Sequence, residues 1–235
     1  MNNILATIIT FAVALAWLRL NDFAAHRGWI SSDLSRKIIH IGTGPFYVLC
    51  WLLFTETPTA RFLAALVPLT ITLQFILVGT GVIHDEAAVQ AMSRTGDRRE
   101  ILRGPLFYGI VFVVLTLLYW RNTPVGIVAL MLMCGGDGLA DVLGRRIKSP
   151  RLPWNPGKSL VGSLAMFLGG FLFALLILGI YILLGVFKGP ASLYIPGLAL
   201  IAFVGTLVES LPFHDIDNIT VTTAAVILGY FVFPV

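Results

Sequence analysis

The chain has 235 residues, of which 57% are apolar and only 12% are charged. An ordinary soluble domain carries about twice that charged fraction, so the composition excludes a typical soluble domain. The formal net charge of +4 follows from basic loops between apolar segments and does not indicate nucleic-acid binding.

Eight nearly charge-free runs follow one another along the chain. Each approaches the roughly 20 residues that cross a ~30 Å hydrocarbon core. They cover residues 1–18, 38–55, 62–83, 104–120, 122–143, 159–187, 189–208 and 218–235. We therefore predict an all-α integral membrane protein, a polytopic bundle of eight transmembrane helices in one domain. Seven helices is the alternative, if the last, short run does not span fully.

The basic residues predict the orientation of this bundle. Loops 1–2, 3–4 and 5–6 carry thirteen lysines and arginines, against Arg61, Arg121 and Lys188 on the other side. The positive-inside rule places the thirteen in the cytosol and both termini across the membrane. The first run has no basic segment before it, which argues against a cleaved signal peptide. Cys50 and Cys134 lie in apolar runs without ligand spacing, so they predict neither a disulfide nor a metal cluster.

The first two basic loops contain candidates for phosphate binding. Arg36, Lys37 and His40 are spaced to share one side of a helix. The alternatives are that the two basic side chains reach to lipid head groups and that the histidine is packed in the protein. The second loop alternates in charge, which is typical of a solvated or headgroup-lying segment. The functional alternative is that members of this loop hold a polyphosphate, namely Arg98, Arg99 and Arg103.

The most informative stretch reads C-G-G-D-G-L-A-D and contains Asp137 and Asp141 near the end of an apolar run. Because the two aspartates are four residues apart, a helix projects both carboxylates from one face. Carboxylates within a membrane segment are functional candidates by default. The alternative is a pair of structural acids bonded to neighbouring helices or to Arg145 and Arg146.

A basic, proline-rich loop follows these aspartates and must have a defined shape, because its prolines and glycines interrupt helices. Gly157-Lys158-Ser159 then opens the next helix, whose first-turn N–H groups suit a phosphate. The stretch is not a Walker A loop, since Leu152 stands where that motif has glycine. Together with the acidic pair it predicts phosphoryl transfer, with carboxylates for Mg²⁺ and with Lys158 and the two arginines for phosphate oxygens.

The last loop is acidic and contains neither lysine nor arginine. A second Mg²⁺ or substrate contact would explain it, and plain solvation of a short acidic turn is the alternative. The residues concerned are Glu209, Asp215, Asp217 and Asn218.

Five segments resemble the polyprenol kinases, the family of phytol kinase and dolichol kinase, with the strongest likeness to phytol kinases. They are R-K-I-I-H at 36–40, R-T-G-D-R-R-E-I-L-R-G-P-L-F-Y at 94–108, G-D-G-L-A-D-V-L-G-R-R at 136–146, P-W-N-P-G-K-S-L-V-G-S-L-A-M-F at 153–167 and V-E-S-L-P-F-H-D-I-D-N-I-T-V at 208–221. The matching motifs add Gly136, Gly138, Asn155 and Ser163 to the candidate site.

The resemblance implies a membrane kinase that moves the γ-phosphoryl group of a nucleoside triphosphate onto a long-chain isoprenoid alcohol. It also implies CTP, or sometimes UTP, as donor, and a bacterial inner or thylakoid-type membrane with the site facing the cytosol. On this hypothesis Asp137, Asp141 and Lys158 are catalytic, and Mg²⁺ binds Asp137, Asp141, Glu209 and Asp217. A homo-oligomer is compatible with the sequence. The rivals are a secondary transporter, a membrane cytidylyltransferase and a kinase of another lipid such as diacylglycerol.

Overall fold

In the computed structural model, which describes residues 1–213 and 216–233, a helix lies over each of the eight apolar runs. The helices are α1 (Asn3–His26), α2 (Ser32–Cys50), α3 (Ala60–Thr80), α4 (Glu86–Met92), α5 (Gly104–Leu118), α6 (Val125–Met131), α7 (Gly138–Arg146), α8 (Leu160–Leu183), α9 (Ile195–Glu209) and α10 (Asp217–Val232). A π-helical turn, Leu132–Asp137, joins α6 to α7, and the short strands β1 (Arg151–Leu152) and β2 (Asn155–Ser159) precede α8. Single 3₁₀ turns lie at Trp51–Leu53, Arg98–Leu102 and Ala191–Leu193.

The protein has the all-α, polytopic membrane fold that its composition predicts. Within the described residues, five helices are long and apolar enough to cross a membrane: Asn3–His26, Ala60–Thr80, Arg98–Leu118, Val125–Arg146 and Leu160–Leu183. Helices α9 and α10 are apolar but shorter, at 15 and 16 residues, and reach about 22–24 Å at 1.5 Å per residue. The number of complete crossings therefore depends on these two helices and on α2, which begins in a charged segment.

The chain forms two compact units, Met1–Leu117 and Leu118–Val235. In the first unit, three helices meet at the buried hydroxyl of Tyr47 on α2. This hydroxyl donates to the carbonyl of Ala64 on α3 at 3.1 Å and lies 3.0 Å from the hydroxyl of Thr116 on α5. A buried hydroxyl has no water to bond to, so it needs partners within the protein. The partners of Tyr47 therefore fix the register of the three helices. The prediction of a single domain stays a prediction.

The loop before α5 is folded rather than merely solvated. The carboxylate of Glu100 accepts hydrogen bonds from the backbone N–H groups of Arg94 and Thr95 and from the Thr95 hydroxyl. Asp97 caps the following 3₁₀ turn by accepting the N–H of Arg99 at 2.9 Å. The guanidinium of Arg36 donates to the carbonyl of Ser93 at 2.7 Å, so this loop and the start of α2 lie on the same side of the first unit.

In the second unit, α8 packs closely against the helix Val125–Arg146, and glycines make the approach feasible. A Cβ atom on Gly169 would lie 2.8 Å from the carbonyl oxygen of Gly135, and one on Gly136 would lie 2.8 Å from the sulfur of Met166. Close contact of this kind is the main source of attraction between helices in lipid, where burial of apolar surface gives none. The glycines of the C-G-G-D motif therefore set the depth and direction of the helix that carries Asp137.

Substituting Gly169 by alanine tests this packing. The added methyl group would meet a backbone oxygen that cannot rotate away, so we expect the variant to lose about 1–3 kcal/mol of stability. The measurement is the free energy of unfolding of purified protein in detergent.

The matched control is Gly179→Ala on the same helix, where an added Cβ meets nothing within 4 Å. This substitution should leave stability unchanged or raise it by up to ~1 kcal/mol, because alanine favours helix more than glycine does. Equal losses in the two variants would show that α8 does not depend on this contact.

Candidate active site

The basic, proline-rich stretch folds into a short antiparallel hairpin, which confirms the prediction of a shaped loop. Arg151 pairs with Ser159 and Leu152 with Asn155, with an irregularity between the two pairs. The hairpin ends where α8 begins, and its closing contact is the N–H of Leu160 donating to the carbonyl of Pro150 at 2.9 Å. The strand β2 thus delivers Lys158 at a fixed position before the first turn of α8.

Asn155 and Trp154 anchor this hairpin to the end of α9. The amide nitrogen of Asn155 donates to the carbonyls of Ser210 and Leu211 at 3.1 and 3.2 Å, and its amide oxygen accepts the N–H of Gly157 at 3.2 Å. The indole N–H of Trp154 donates to the hydroxyl of Ser210 at 3.2 Å. The basic, proline-rich loop before α8 and the loop after α9 therefore meet at one end of the second unit.

Lys158 lies at the centre of an acidic cluster formed by this contact. Its ammonium pairs with the carboxylate of Glu209 and lies 3.4 Å from a carboxylate oxygen of Asp217. Glu209 is the last residue of α9 and is only 2% exposed, whereas the side chains of Lys158 and Asp217 are each 26% exposed. Two residues predicted to bind metal are thus next to the lysine predicted to bind phosphate.

Asp137 contributes to the same cluster, because its negative charge acts on both Lys158 and Glu209. Burial opposes the positive charge of Lys158, but the carboxylates of Glu209, Asp137 and Asp217 outweigh burial and raise the pKa of Lys158 above its usual range. Lys158 is therefore an ammonium at neutral pH. It can bind phosphate oxygens but cannot accept a proton from a substrate.

Asp141 has a different immediate neighbour from Asp137. Its carboxylate accepts a hydrogen bond from Nε of Arg145 at 2.5 Å, one turn along α7. The half-exposed Arg145 and the exposed Arg146 complete a basic end of that helix. For Asp141, this ion pair supports the alternative of a structural acid bonded to Arg145. Asp137, in contrast, belongs to the acidic cluster around Lys158.

The first turn of α8 is already capped by its own sequence. The hydroxyl of Ser159 accepts the N–H of Gly162 and donates to the carbonyl of Gly144, at 3.2 and 3.3 Å. The prediction that Gly157-Lys158-Ser159 opens the helix holds for Ser159 as N-cap, but Gly157 and Lys158 belong to β2. The hydroxyl of Ser163, one turn further, is buried and has no hydrogen-bond partner among the described residues.

Gly136 and Gly138 have structural positions beside the site. Gly136 is buried against Met166, and Gly138 is the buried first residue of α7. Asn218 lies next to Asp217 in the first turn of α10. Asp215 lies outside the described residues.

Among the candidates of the first unit, Arg36 and His40 contact other residues of the protein. Arg36 pairs with Asp33 at 2.6 Å in addition to its bond with Ser93, and the ring of His40 lies 4.5 Å from that of Tyr108. The hydroxyl of Tyr108 donates to the carbonyl of His40 at 2.8 Å. Lys37 is half-buried on the same turn. These contacts favour packing roles for Arg36 and His40, and phosphate binding by the group stays a prediction.

The arginines of the second basic loop differ in their surroundings. Arg98 lies against Gly81, the left-handed residue that ends α3, where a Cβ atom would clash with its guanidinium. Arg99 and Arg103 have exposed side chains, the first within the 3₁₀ turn and the second directly after it. Phosphate binding by these three residues also stays a prediction.

A magnesium ion in this site would need ligands from its substrate. Within the described ranges, no three side chains of His, Cys, Asp or Glu are grouped so that they could hold a metal ion. Magnesium in phosphoryl-transfer sites commonly takes only one or two carboxylates and completes its octahedron with phosphate oxygens and water. The buried Oε2 atom of Glu209 has no hydrogen-bond partner among the described residues, and Asp137 and Asp217 supply further carboxylates close by. The donor set therefore fits a magnesium–triphosphate complex.

The sequence pattern did not predict the anchoring role of Trp154 and of the Ser210 and Leu211 carbonyls. The sequence did contain a signal for the anchoring role of Trp154, because a tryptophan and an asparagine between two prolines are unusual in a loop that is only solvated. The partner carbonyls could not be found in this way, because every residue carries one.

Comparison with curated proteins gives relatives over nearly the whole chain. A probable phytol kinase 1 of Oryza sativa is 42% identical over 97% of this chain and 73% of its own length. The phytol kinase 1 of Arabidopsis thaliana is 36% identical over 97% of this chain and 76% of its own length, and the farnesol kinase of the same plant is 35% identical over 99% and 76%. All three are named as chloroplastic proteins. No family model matches the chain, and no solved structure matches it significantly.

The chain therefore belongs to the phytol kinase and polyprenol kinase family, as its motifs indicate.

The anchoring of the hairpin can be tested with Asn155→Ala. The substitution removes three hydrogen bonds, each worth about 0.5–1.5 kcal/mol net, and these lie partly in solvent, so we expect a local destabilisation of about 1–2 kcal/mol. Hydrogen exchange followed by mass spectrometry should show faster exchange in residues 151–160.

The matched variant Trp154→Phe loses one hydrogen bond and should show a smaller increase in exchange at the same residues. Peptides from the middle of α8 serve as the internal reference and should not change. Unaltered exchange of the hairpin in Asn155→Ala would contradict its anchoring role.

Proposed function

We propose that the protein is a membrane-embedded kinase that phosphorylates a long-chain isoprenoid alcohol such as phytol, giving phytyl monophosphate. The observation that carries this proposal is 35–42% identity, over 96–99% of the chain, to proteins named phytol kinase and farnesol kinase. The cluster around Lys158 supports it independently, because a fixed ammonium surrounded by carboxylates has the chemistry that a phosphoryl-transfer site requires.

The phosphoryl donor in this proposal is a nucleoside triphosphate, with CTP as first choice and UTP as second. The choice of CTP rests on the family resemblance alone, since no described contact selects a base. The triphosphate itself is supported by charge, because Lys158 and the neighbouring Arg145 and Arg146 can neutralise its oxygens.

Lys158 can bind a phosphate oxygen without leaving its acidic partners. An ammonium has three N–H donors, and Glu209 and Asp217 accept two of them. The third donor is then directed to the triphosphate. In this arrangement the lysine holds the γ-phosphoryl group for in-line attack and offsets the charge that builds up on it.

Magnesium would be held by Asp137 and Asp217 together with phosphate oxygens, and its charge would stabilise the triphosphate during transfer. Asp141 and Glu209 remain candidates for the same ion. Asp137, or Asp141 one turn away, would accept the proton of the substrate hydroxyl. Lys158 is excluded from that role, because its raised pKa keeps it protonated.

The membrane arrangement in this proposal places the site at the cytosolic boundary of a bacterial or thylakoid-type membrane. The thirteen basic residues of the three basic loops support that orientation through the positive-inside rule. The apolar chain of the isoprenoid alcohol would lie in the hydrocarbon core of the bilayer. Its hydroxyl would reach the cytosolic membrane boundary, where the hairpin lies.

A substrate screen tests the proposed activity directly. Purified protein with Mg²⁺ should convert phytol to phytyl monophosphate and release one nucleoside diphosphate for each product, with CTP or UTP preferred among the four nucleoside triphosphates. Farnesol, geranylgeraniol and diacylglycerol serve as alternative acceptors.

Other products would contradict the proposal in distinguishable ways. Pyrophosphate release with a CDP-linked lipid would identify a cytidylyltransferase. Uptake into liposomes without nucleotide, and without a phosphorylated product, would identify a transporter.

The division of roles between the aspartates predicts unequal effects of two isosteric variants. Asp137→Asn should lower kcat by about 10²–10⁴-fold, because it removes a charge next to Lys158 that serves magnesium or proton transfer. Asp141→Asn should cost less, because that carboxylate is engaged by Arg145. Steady-state kinetics with phytol and CTP measure both, and the elution profile of each variant controls for folding. Near-normal turnover of Asp137→Asn would exclude Asp137 from the site.

A further inference from the structure

We propose that Glu209 is a positioning residue, whose buried carboxylate holds the Lys158 ammonium where it meets the triphosphate. This inference rests on the proposed kinase function and assigns to Glu209 a role other than metal ligation. It is based on three observations in the second unit: the burial of Glu209, a second set of contacts between the two segments, and the difference between the two acidic partners of Lys158.

The first observation is the burial of Glu209. Glu209 is 2% exposed, and Lys158 reaches it from a strand 51 residues earlier in the chain. A buried carboxylate needs a cation or several hydrogen bonds, because its charge is poorly solvated there. Lys158 meets that need, so the ammonium cannot swing into solvent without leaving Glu209 uncompensated.

The second observation is that a separate set of contacts holds the same two segments together. Asn155 and Trp154, three and four residues before Lys158, bond to Ser210 and Leu211, directly after Glu209. The backbone positions of both charges are thus fixed independently of the ion pair. The long lysine side chain then loses its conformational freedom on folding rather than on binding the substrate, which favours binding.

The third observation is the contrast between Glu209 and Asp217. Asp217 lies 3.4 Å from the ammonium and has a partly exposed side chain, whereas Glu209 is in close contact and is buried. Magnesium retains several waters in such sites, so it favours a carboxylate that water can reach. The accessible Asp217 fits a ligand of the metal, and the enclosed Glu209 fits a fixed partner of the lysine.

The opposing possibility is that a metal binds the remaining oxygen of Glu209, Oε2, which has no hydrogen-bond partner among the described residues. The two roles differ in their dependence on magnesium and on Lys158. A positioning residue acts through the lysine, with or without magnesium, whereas a metal ligand acts only when magnesium is present.

The experiment compares Glu209→Gln, Lys158→Met and the double variant in the full chain. The first readout is the rise in melting temperature that inorganic triphosphate causes in EDTA, without magnesium. The wild type should be stabilised, Glu209→Gln should be stabilised less, and Lys158→Met should not respond. Gly179→Ala, which alters no charge and adds a Cβ that meets nothing within 4 Å, is the control and should respond as the wild type does.

The second readout is steady-state kinetics with magnesium, CTP and phytol. Glu209→Gln should raise the KM for CTP about tenfold with little change in the KM for phytol. In the double variant, removing the now uncompensated carboxylate should leave kcat/KM for CTP equal to or higher than that of Lys158→Met.

The opposite results would overturn the positioning role. They are a Glu209→Gln protein that responds to triphosphate in EDTA as the wild type does, a defect that excess magnesium corrects, or a double variant less active than Lys158→Met. A wild type that is stabilised by triphosphate in EDTA but phosphorylates no lipid alcohol would refute the proposed function while leaving the positioning of Lys158 supported. A wild type that triphosphate does not stabilise would refute the positioning role.

Discussion

The ion pair between Lys158 and Glu209 is the constraint on which the rest of the second unit depends. A carboxylate that is 2% exposed requires a cation, and here the cation comes from β2, 51 residues earlier in the chain. The hairpin, its prolines and the hydrogen bonds of Asn155 and Trp154 all serve to bring that strand into place. On the proposed function, a charged group that is expensive to bury is retained here because a phosphoryl-transfer site needs a cation of fixed position.

The helix that carries Asp137 is positioned by a different kind of force. Gly135, Gly136 and Gly169 allow α8 to approach it closely, and a π-helical turn ends at Asp137 itself. The extra residue of a π turn rotates the residues after it relative to those before it, and such turns are frequent at functional sites. The apolar face of Val125–Met131 can therefore remain buried while Asp137 lies within electrostatic reach of Lys158 and Glu209.

Much of the fold could be predicted from the sequence, because runs of about twenty apolar residues have few alternatives to membrane helices. The sequence also indicated that the acidic loop after α9 lies near the basic, proline-rich loop. Glu209 and Asp217 are acidic on the side of the membrane where the other loops are basic, which suggested a shared magnesium or substrate site. The pairing of Lys158 with Glu209 could not be predicted, because it depends on the packing of α8 against α9 across 51 residues. The hairpin could not be predicted as a strand pair, because prolines and glycines mark the end of a helix but do not specify the next element. The hydrogen bonds that fold the loop at Glu100 could not be predicted either. A sequence with alternating charges does not show whether its side chains are solvated or bonded to the backbone.

The most direct measurement of the central claim is an experimental structure of the protein with Mg²⁺ and a non-hydrolysable β,γ-methylene analogue of CTP. The account predicts a phosphate oxygen within hydrogen-bonding distance of Nζ of Lys158, with Glu209 still paired to the same nitrogen and with a magnesium ion beside Asp137 or Asp217. A triphosphate bound elsewhere, with Lys158 still enclosed by its carboxylates and out of its reach, would contradict the account.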